Sequence, residues 1–219
     1  MQPRTIAISD IHGQAQALDA ILVAIGPRPA DTLVVLGDYV DLGPDSKGVL
    51  DRLLGLGKQF HVVALMGNHE EMMVGAREGR SDLRFWMNFG GRETLESYGH
   101  AGDLRLVPPE HLRFLKGLPL FYESETHFFI HANYDPNRPL DHQESATALW
   151  KHLDEIPEPH ASGKIAVVGH TPQKSGRVLD LPHLKCIDTG CGYGGLLTAL
   201  DTGGGQIWQV DEFGRRPGR

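Results

Sequence analysis

The sequence has few cysteines, no long apolar run and no excess of positive charge, and each absence excludes a class of protein. Its two cysteines, Cys186 and Cys191, are too few for a disulfide framework and lack the CxxC spacing of a structural zinc site. No run of 18 or more apolar residues occurs, so we expect no membrane-spanning helix. The formal net charge of -7 argues against binding to a nucleic acid polymer, whose phosphates need many lysines and arginines.

The amino terminus also lacks a targeting signal. Residues 1–5 lead directly into strand-like sequence rather than into a charged and then apolar segment. We therefore expect a cytoplasmic protein with reduced cysteines and no membrane partner. A small anionic substrate stays possible, because bound metals and local cations can reverse the field inside a cleft.

The length and patterning predict one α/β domain. At 219 residues the chain can bury one sizeable core, so we predict a single domain over residues 1–219. Short β-branched runs alternate with helix-period stretches in a βαβαβ order at 5–9, 16–25, 32–36, 46–56 and 61–65. From about residue 70 to residue 116 the sequence is charged and helical, which predicts a helical insertion over one end of the sheet.

The remaining sequence is mostly strand-like. We predict strands at 126–130, 165–168, 185–187, 196–200 and 206–210, and one helix at about 145–153. The tail at 213–219 is polar and rich in glycine and arginine, so we expect it to fray.

Groups that can bind metal follow one apolar run after another. They are Asp10 and His12 in SDIHG, Asp38 and Asp41 in GDYVDLG, Asn68, His69 and Glu70 in GNHE, His131 in IHAN, and His170 in VVGHT. Because ligands of α/β sheets bind beyond the carboxyl ends of the strands, separate loops can bring these groups together. Their carboxylate, imidazole and amide groups suit Mn, Fe or Zn.

Each segment alone has a simpler explanation. Asp-x-His is usually a solvated turn, and Asn-His-Glu is usually a helix cap. Their joint occurrence favours metal binding, because Asp10, Asp38 and Asn68 each begin a loop after a strand, at separations of 28 and 30 residues that suit successive βα units.

Together, Asp-x-His-Gly, Gly-Asp-x-x-Asp-x-Gly, Gly-Asn-His-Glu, His-Ala and Gly-His resemble the motif set of the calcineurin-like metallophosphoesterases, in their phosphoprotein phosphatase branch. The resemblance spans about residues 5–201. GDYVDLGPDS and IDTGCGYGGLLTALD look like segments of bacterial serine/threonine phosphatases and of the symmetrical diadenosine tetraphosphatases. This resemblance implies a β-sandwich flanked by helices, with a dinuclear metal site at one edge.

The same resemblance implies a role for each motif residue in metal binding. Two divalent ions would be held, one by Asp10, His12 and Asp38, and the other by Asp38, Asn68, His131 and His170. Asp38 would then bridge the two ions. We expect Mn, with Fe or Zn as alternatives.

The catalytic roles implied by the resemblance fall on His69 and Asp41. A hydroxide bridging the metals would attack phosphorus, and His69 would protonate the leaving oxygen as the general acid. Asp41 would fix the tautomer and orientation of His69. A turn-capping carboxylate is the alternative for Asp41.

Leu42 departs from the family pattern. Most relatives of this branch carry arginine directly after the second aspartate, where its guanidinium binds a substrate phosphate. Losing a hydrogen bond to a charged group costs ~1.5–3 kcal/mol, or roughly 10- to 150-fold in affinity. Leu42 therefore points to an altered affinity or substrate. Candidate substrate-binding replacements are Arg92 and Arg138, with Lys151 and His152 as further candidates, and a solvated surface charge is the alternative for each.

Three functions fit these residues. The first is hydrolysis of phosphoserine, phosphothreonine or small phosphate esters. The second is pyrophosphohydrolysis of dinucleoside polyphosphates, for which Phe85, Trp86, Phe89 and Tyr98 offer aromatic rings, although helical spacing is more typical of core residues. The third is a weakly catalytic metal-binding module that recognises phosphorylated partners, suggested by Leu42 alone.

Overall fold

The computed structural model describes residues 2–99 and 103–218. Residues 100–102 of the predicted insertion and residue 219 of the predicted tail lie outside the described residues. The strands are β1 (Thr5–Ile8), β2 (Thr32–Val35), β3 (His61–Ala64), β4 (Phe121–Glu123), β5 (His127–Ile130), β6 (Ile165–Val168), β7 (Leu179–Asp180), β8 (Leu184–Cys186), β9 (Leu196–Asp201) and β10 (Ile207–Asp211).

Seven α-helices accompany these strands within the described ranges. They are α1 (Ala15–Ile25), α2 (Ser46–Leu56), α3 (Asn68–Arg77), α4 (Leu83–Trp86), α5 (Arg92–Ser97), α6 (Pro109–Lys116) and α7 (Ser145–Trp150). A π-helical turn at Met87–Gly91 joins α4 to α5. No helix in the described part of the chain has both the length and the apolar character needed to cross a membrane.

The strands form two mixed five-stranded sheets. Their orders are β10-β9-β1-β2-β3 and β4-β5-β6-β8-β7. In the first sheet β1, β2 and β3 run parallel, and in the second β5, β6 and β8 run parallel. The carboxyl ends of these strands therefore share an edge in each sheet, and the metal-binding motifs follow β1, β2, β3, β5 and β6.

Alternating side chains build the core on both faces of each sheet, as the two-residue period of a strand requires. Ile6 and Ile8 pack with helix residues such as Leu18, whereas Ala7 lies in a separate cluster between the sheets. In the second sheet Phe129 joins that inter-sheet cluster, which also contains Val34 and Val167 from neighbouring strands. The result is a β-sandwich flanked by helices, which confirms the expected α/β fold.

The predicted strands are confirmed to within about one residue, but β4 and β7 were missed. These strands are 3 and 2 residues long and close opposite edges of the second sheet, so they carry too little alternation to be recognised. The helix predicted at 145–153 ends at Trp150. Between α3 and β4 the described residues form only helices and turns, as expected for the insertion.

Part of the predicted tail is hydrogen-bonded to the end of β10, and fraying of residues 213–219 stays a prediction. Arg215 donates from its backbone N to Asp211 Oδ1 at 2.8 Å and from Nε to Asp211 Oδ2 at 2.7 Å, which ties residues 213–215 to β10. Both cysteines are free and buried, in agreement with a core position for Cys186.

Asp31 holds the start of the chain against the turn before β2. Its fully buried carboxylate accepts hydrogen bonds from Arg4 Nη2 at 2.6 Å and from Arg28 Nη2 at 2.7 Å, and also from both backbone N–H groups. Burial raises the pKa of this carboxyl, but the hydrogen bonds from Arg28 and Arg4 outweigh burial and hold the pKa well below its usual range.

We predict that Asp31→Ala lowers the free energy of unfolding at pH 7 by about 3 kcal/mol, because it leaves two guanidinium groups without their partner. Because the pKa of Asp31 is lower in the folded than in the unfolded protein, its carboxylate stabilises the fold at pH values above the ordinary pKa of 3.8. This stabilisation is lost as the pH falls below 3.8, so the difference in free energy of unfolding between wild type and Asp31→Ala shrinks at pH 3. Urea unfolding at both pH values measures this. Glu123→Ala, which breaks the exposed pair with Lys164, is the control and costs under about 1 kcal/mol. A loss no larger than the control contradicts the prediction.

Candidate active site

The six predicted metal ligands lie together where the two sheets present their carboxyl ends. One of them, His170, is partly exposed. The other five are at most 5% exposed: Asp10, His12, Asp38, Asn68 and His131. Each comes from the loop directly after a strand, except Asn68, which begins α3. The sandwich therefore brings together five segments that are far apart in sequence.

Asp38 lies between two groups of possible ligands. Its Oδ2 is 3.6 Å from His12 Nε2, and its Oδ1 is 3.5 Å from His131 Nε2. On the second side, Asn68 Oδ1 lies 3.0 Å from His131 Nε2 and 3.1 Å from His170 Nδ1. The two oxygens of one carboxylate thus face different histidines, an arrangement that fits a carboxylate shared by two ions.

Asp10 carries a polar atom that needs a partner. Its Oδ2 accepts a hydrogen bond from the backbone N of His170 at 2.9 Å, whereas its buried Oδ1 has no partner among the described residues. Burial raises the pKa of Asp10 well above its usual range, and the charges of Asp188 and Asp38 add to the rise. An unpaired buried carboxylate oxygen is costly, and a cation would satisfy it.

The three histidines are oriented for metal binding. The Nδ1–H of His12 donates to the carbonyl of Val40 at 3.1 Å, and that of His131 to the carbonyl of Leu36 at 2.9 Å, which leaves each Nε2 lone pair facing Asp38. His170 uses the opposite tautomer, since its Nε2 lies 3.2 Å from the carbonyl of Trp150. Burial lowers the pKa of His12 to about 3 and of His170 to about 4, so both rings are neutral, as metal binding requires.

His69 differs from these three because it is paired with a carboxylate. Its Nδ1–H donates to Asp41 Oδ2 at 2.8 Å, and its Nε2 lies 4.0 Å from Asp38 Oδ2. Burial lowers the pKa of His69, but the charge of Asp38 and the hydrogen bond to Asp41 outweigh burial and raise the pKa to about 9. The hydrogen bond to Asp41 favours the imidazolium form of this ring, and that form can donate a proton.

Glu70, a possible metal-binding residue of the GNHE motif to which the resemblance assigned no role, shapes the loop after β2. Its carboxylate accepts hydrogen bonds from the backbone N of Asp38 and of Tyr39, both at 2.7 Å, and from the backbone N of Gly67 at 3.0 Å. Burial raises the pKa of Glu70 to about 8. By binding two segments at once, Glu70 fixes the loop that carries Asp38 against the start of α3.

Backbone strain is concentrated at this site. Among the described residues, the non-glycine residues with positive φ are His12 (46°), Asp38 (51°), Asp41 (73°), Leu42 (67°) and His170 (61°). Left-handed backbone is disfavoured for residues with a side chain, and it persists where the surrounding structure enforces it. All five belong to the motif loops, which indicates that packing holds these loops in one conformation.

Both predicted substrate-binding cations, Arg92 and Arg138, are exposed. Arg138 forms ion pairs with Glu144 at 2.7 Å and with Asp135 at 3.4 Å, and Arg92 is exposed at the start of α5 without an ion pair to any described residue. By contrast, the His152 ring lies 4.5 Å from that of His170, at the edge of the metal-ligand cluster. A substrate role for Arg92 or Arg138 stays a prediction.

The four aromatic residues of the insertion have different environments. Trp86 is fully buried, and the Tyr98 hydroxyl lies 2.7 Å from His111 Nδ1. Phe85 and Phe89 are 47% and 43% exposed, with ring centroids 4.8 Å apart. Phe85 and Phe89 are therefore the most accessible of the four rings to a ligand.

We predict that Asp38→Ala abolishes the binding of both ions, because only Asp38 faces both groups of ligands. Asp10→Ala should weaken the binding of one ion and leave the binding of the other unchanged. Titration calorimetry with Mn²⁺, together with metal analysis after desalting, gives the stoichiometry. Asp141→Ala, at an exposed carboxylate, is the control and binds as wild type does. Retention of two ions by Asp38→Ala contradicts a bridging role.

Comparisons with known proteins agree with this geometry. The model of the calcineurin-like phosphoesterase family matches residues 3–199. Serine/threonine-protein phosphatase 1 of Salmonella typhimurium is 31% identical over 204 residues, which cover 87% of this chain and 88% of that protein. The symmetrical bis(5'-nucleosyl)-tetraphosphatase of Acidovorax ebreus is 38% identical over 117 residues, which cover 52% of this chain and 36% of that protein. A solved structure provisionally described as a diadenosine tetraphosphatase is 25% identical, with a TM-score of 0.72 over 96% of this chain and 94% of the other.

Proposed function

The chain belongs to the calcineurin-like phosphoesterase family and is a metal-dependent phosphatase, and we propose that it hydrolyses phosphomonoesters, in particular those of phosphoserine and phosphothreonine. The observation that carries this proposal is the buried pair of His69 and Asp41, 2.8 Å apart. An alkoxide leaving group is strongly basic and needs a proton as it departs, which a positioned imidazolium can supply. The phosphate group released from a dinucleoside polyphosphate is far less basic, since its second pKa is about 6.

The metal site follows from the groups described above. One divalent ion would be held by Asp10, His12 and Asp38, and the other by Asp38, Asn68, His131 and His170. The oxygen and nitrogen donors fit Mn, with Fe or Zn as alternatives. Such ions supply water activation and charge neutralisation at phosphorus.

The proposed acid is the Nε2–H of His69. Because Nδ1–H is engaged with Asp41 Oδ2, the imidazolium carries its second proton on Nε2, which points to the side of Asp38. Giving up that proton leaves a neutral ring still bonded to Asp41. Asp41 thus positions the acid and favours its charged form.

A second candidate is hydrolysis of dinucleoside polyphosphates. The exposed pair of Phe85 and Phe89 supports it, because aromatic faces bind nucleobases by stacking. Phe89 precedes Gly90, and Gly90 packs against Leu42 beside the proposed acid. The phospho-recognition module suggested by Leu42 alone gains no further support, because a buried His69–Asp41 pair suited to proton transfer lies beside the ligand cluster.

We predict that the Mn²⁺-loaded wild type hydrolyses a phosphoserine peptide with higher kcat/KM than diadenosine tetraphosphate, because the serine alkoxide is the more basic leaving group. His69→Asn should lower kcat on the phosphopeptide by roughly 10²- to 10⁴-fold, the usual contribution of a general acid. His142→Asn, at an exposed ring, is the matched control and keeps wild-type rates. Turnover unaffected by His69→Asn removes the proposed acid, and faster turnover of diadenosine tetraphosphate favours the second candidate.

Leu42 offers a second test, because it stands where the family pattern places a phosphate-binding arginine. We predict that Leu42→Arg lowers KM for phosphomonoesters by roughly 10-fold or more, since a charge-assisted hydrogen bond contributes ~1.5–3 kcal/mol. Leu42→Met is the control that keeps an apolar side chain, and steady-state kinetics measures both variants. An unchanged KM in Leu42→Arg means that the missing cation does not limit substrate binding.

A further inference from the structure

We infer that the helical insertion takes part in the reaction through Trp86 and Thr94, two positioning residues that hold Asp41 and, through it, His69. This inference rests on the proposed role of His69 as the general acid. It assigns a positioning role to a segment that packs beside the metal-ligand cluster and includes none of the proposed metal ligands from residue 83 to residue 97.

The contacts that carry the inference converge on one buried carboxylate. Asp41 is fully buried, and its Oδ2 accepts hydrogen bonds from Trp86 Nε1–H and His69 Nδ1–H, both at 2.8 Å. Its Oδ1 accepts the hydroxyl hydrogen of Thr94 at 2.6 Å. Trp86 and Thr94 lie 45 and 53 residues from Asp41 in sequence, so only the folded insertion places them there.

The hydroxyl of Thr94 serves the backbone of Asp41 as well as its side chain. The backbone N–H of Asp41 lies 2.8 Å from Thr94 Oγ1 and 3.0 Å from Ser46 Oγ, and these two hydroxyls are 2.9 Å apart. Since Thr94 has one hydroxyl hydrogen and gives it to the carboxylate, Ser46 must donate to Thr94. Every polar group around Asp41 then has a partner, which burial of a carboxylate demands.

The backbone of the insertion fits closely against the same residues. Gly90, at φ 99°, lies so near that a Cβ there would collide with the backbone N of Leu42, and a Cβ on Gly91 would collide with the indole of Trp86. Asp41 and Leu42 are both in the left-handed region. The kinked turn between α4 and α5 therefore packs tightly against the loop after β2, in the conformation in which Asp41 faces His69.

The role predicts a dependence on the leaving group. Removing one donor loosens the Asp41 carboxylate, and the ring of His69 then loses its fixed orientation. A proton from His69 matters for a basic leaving group such as phenolate or the serine alkoxide, and matters little for the weakly basic dinitrophenolate. A purely structural role of Trp86 and Thr94 would slow all substrates equally.

The test uses Trp86→Phe and Thr94→Val, which remove one donor each and keep most of the side-chain volume. With Mn²⁺, we expect kcat/KM for phenyl phosphate and a phosphoserine peptide to fall roughly 10- to 100-fold, as the loss of a hydrogen bond to a charged group implies. For 2,4-dinitrophenyl phosphate we expect a change below about 3-fold. Thr94→Ser, which keeps the hydroxyl, should restore most of the activity, and Trp208→Phe on β10 is the indole control.

A second readout is independent of turnover. In protein loaded with diamagnetic Zn²⁺ instead of Mn²⁺, proton NMR at fixed pH should show a strongly downfield signal from the Nδ1–H of His69, assigned by its absence in His69→Asn. We expect this signal to shift or broaden in Trp86→Phe and Thr94→Val and to persist in Thr94→Ser. Circular dichroism melts and bound-metal analysis establish that each variant is folded and metal-loaded.

Equal losses on phenyl and dinitrophenyl phosphate, or an unchanged NMR signal in both donor variants, overturn the inference. Failure of the proposed general acid would give a different result from failure of this inference. If His69→Asn itself shows no leaving-group dependence, then the acid assignment is wrong, whereas the NMR signal still decides whether Trp86 and Thr94 hold the pair of Asp41 and His69.

Discussion

The site depends first on the burial of carboxylates that have no lysine or arginine as a partner. Asp38 is 2% exposed, and burial raises its pKa to about 6, while Asp10 keeps one oxygen without a described partner. Such a cluster is unfavourable by itself because charges in a poorly solvated interior repel one another. Divalent cations would remove that penalty, and burial keeps His12 and His170 neutral, the form in which they could bind such cations.

The sandwich provides the rigidity that this cluster requires. Two sheets meet through a shared core, and their parallel strands end at neighbouring edges, so each motif loop starts from a fixed point. Strained backbone at Asp38 and His170 is then held by specific bonds, including those from the backbone N of Asp38 to Glu70 and from the backbone N of His170 to Asp10. The insertion adds a further layer around Asp41. The proposed metal binding and the proposed proton donation would thus rest on different parts of the chain that meet at the loop after β2.

Much of this could be predicted from sequence because the relevant signals are local. Short β-branched and apolar runs predicted the strands, and the polar residues directly after those runs were the candidate ligands. Trp86 illustrates a contact that cannot be predicted from sequence patterns. Helical spacing indicated a core position, which its full burial confirms, but periodicity carries no information about the indole N–H that reaches Asp41. Arg138 shows the converse, since its charge suggested a phosphate site while the fold pairs it with Glu144 and Asp135. Both outcomes depend on contacts between distant residues.

The central claim is that Asp38 is shared by two metal ions, and anomalous diffraction from crystals grown with Mn²⁺ tests it most directly. The account predicts two anomalous peaks on either side of the Asp38 carboxylate, one next to Asp10 and His12 and the other next to Asn68, His131 and His170. A single peak, or peaks away from Asp38, would contradict it.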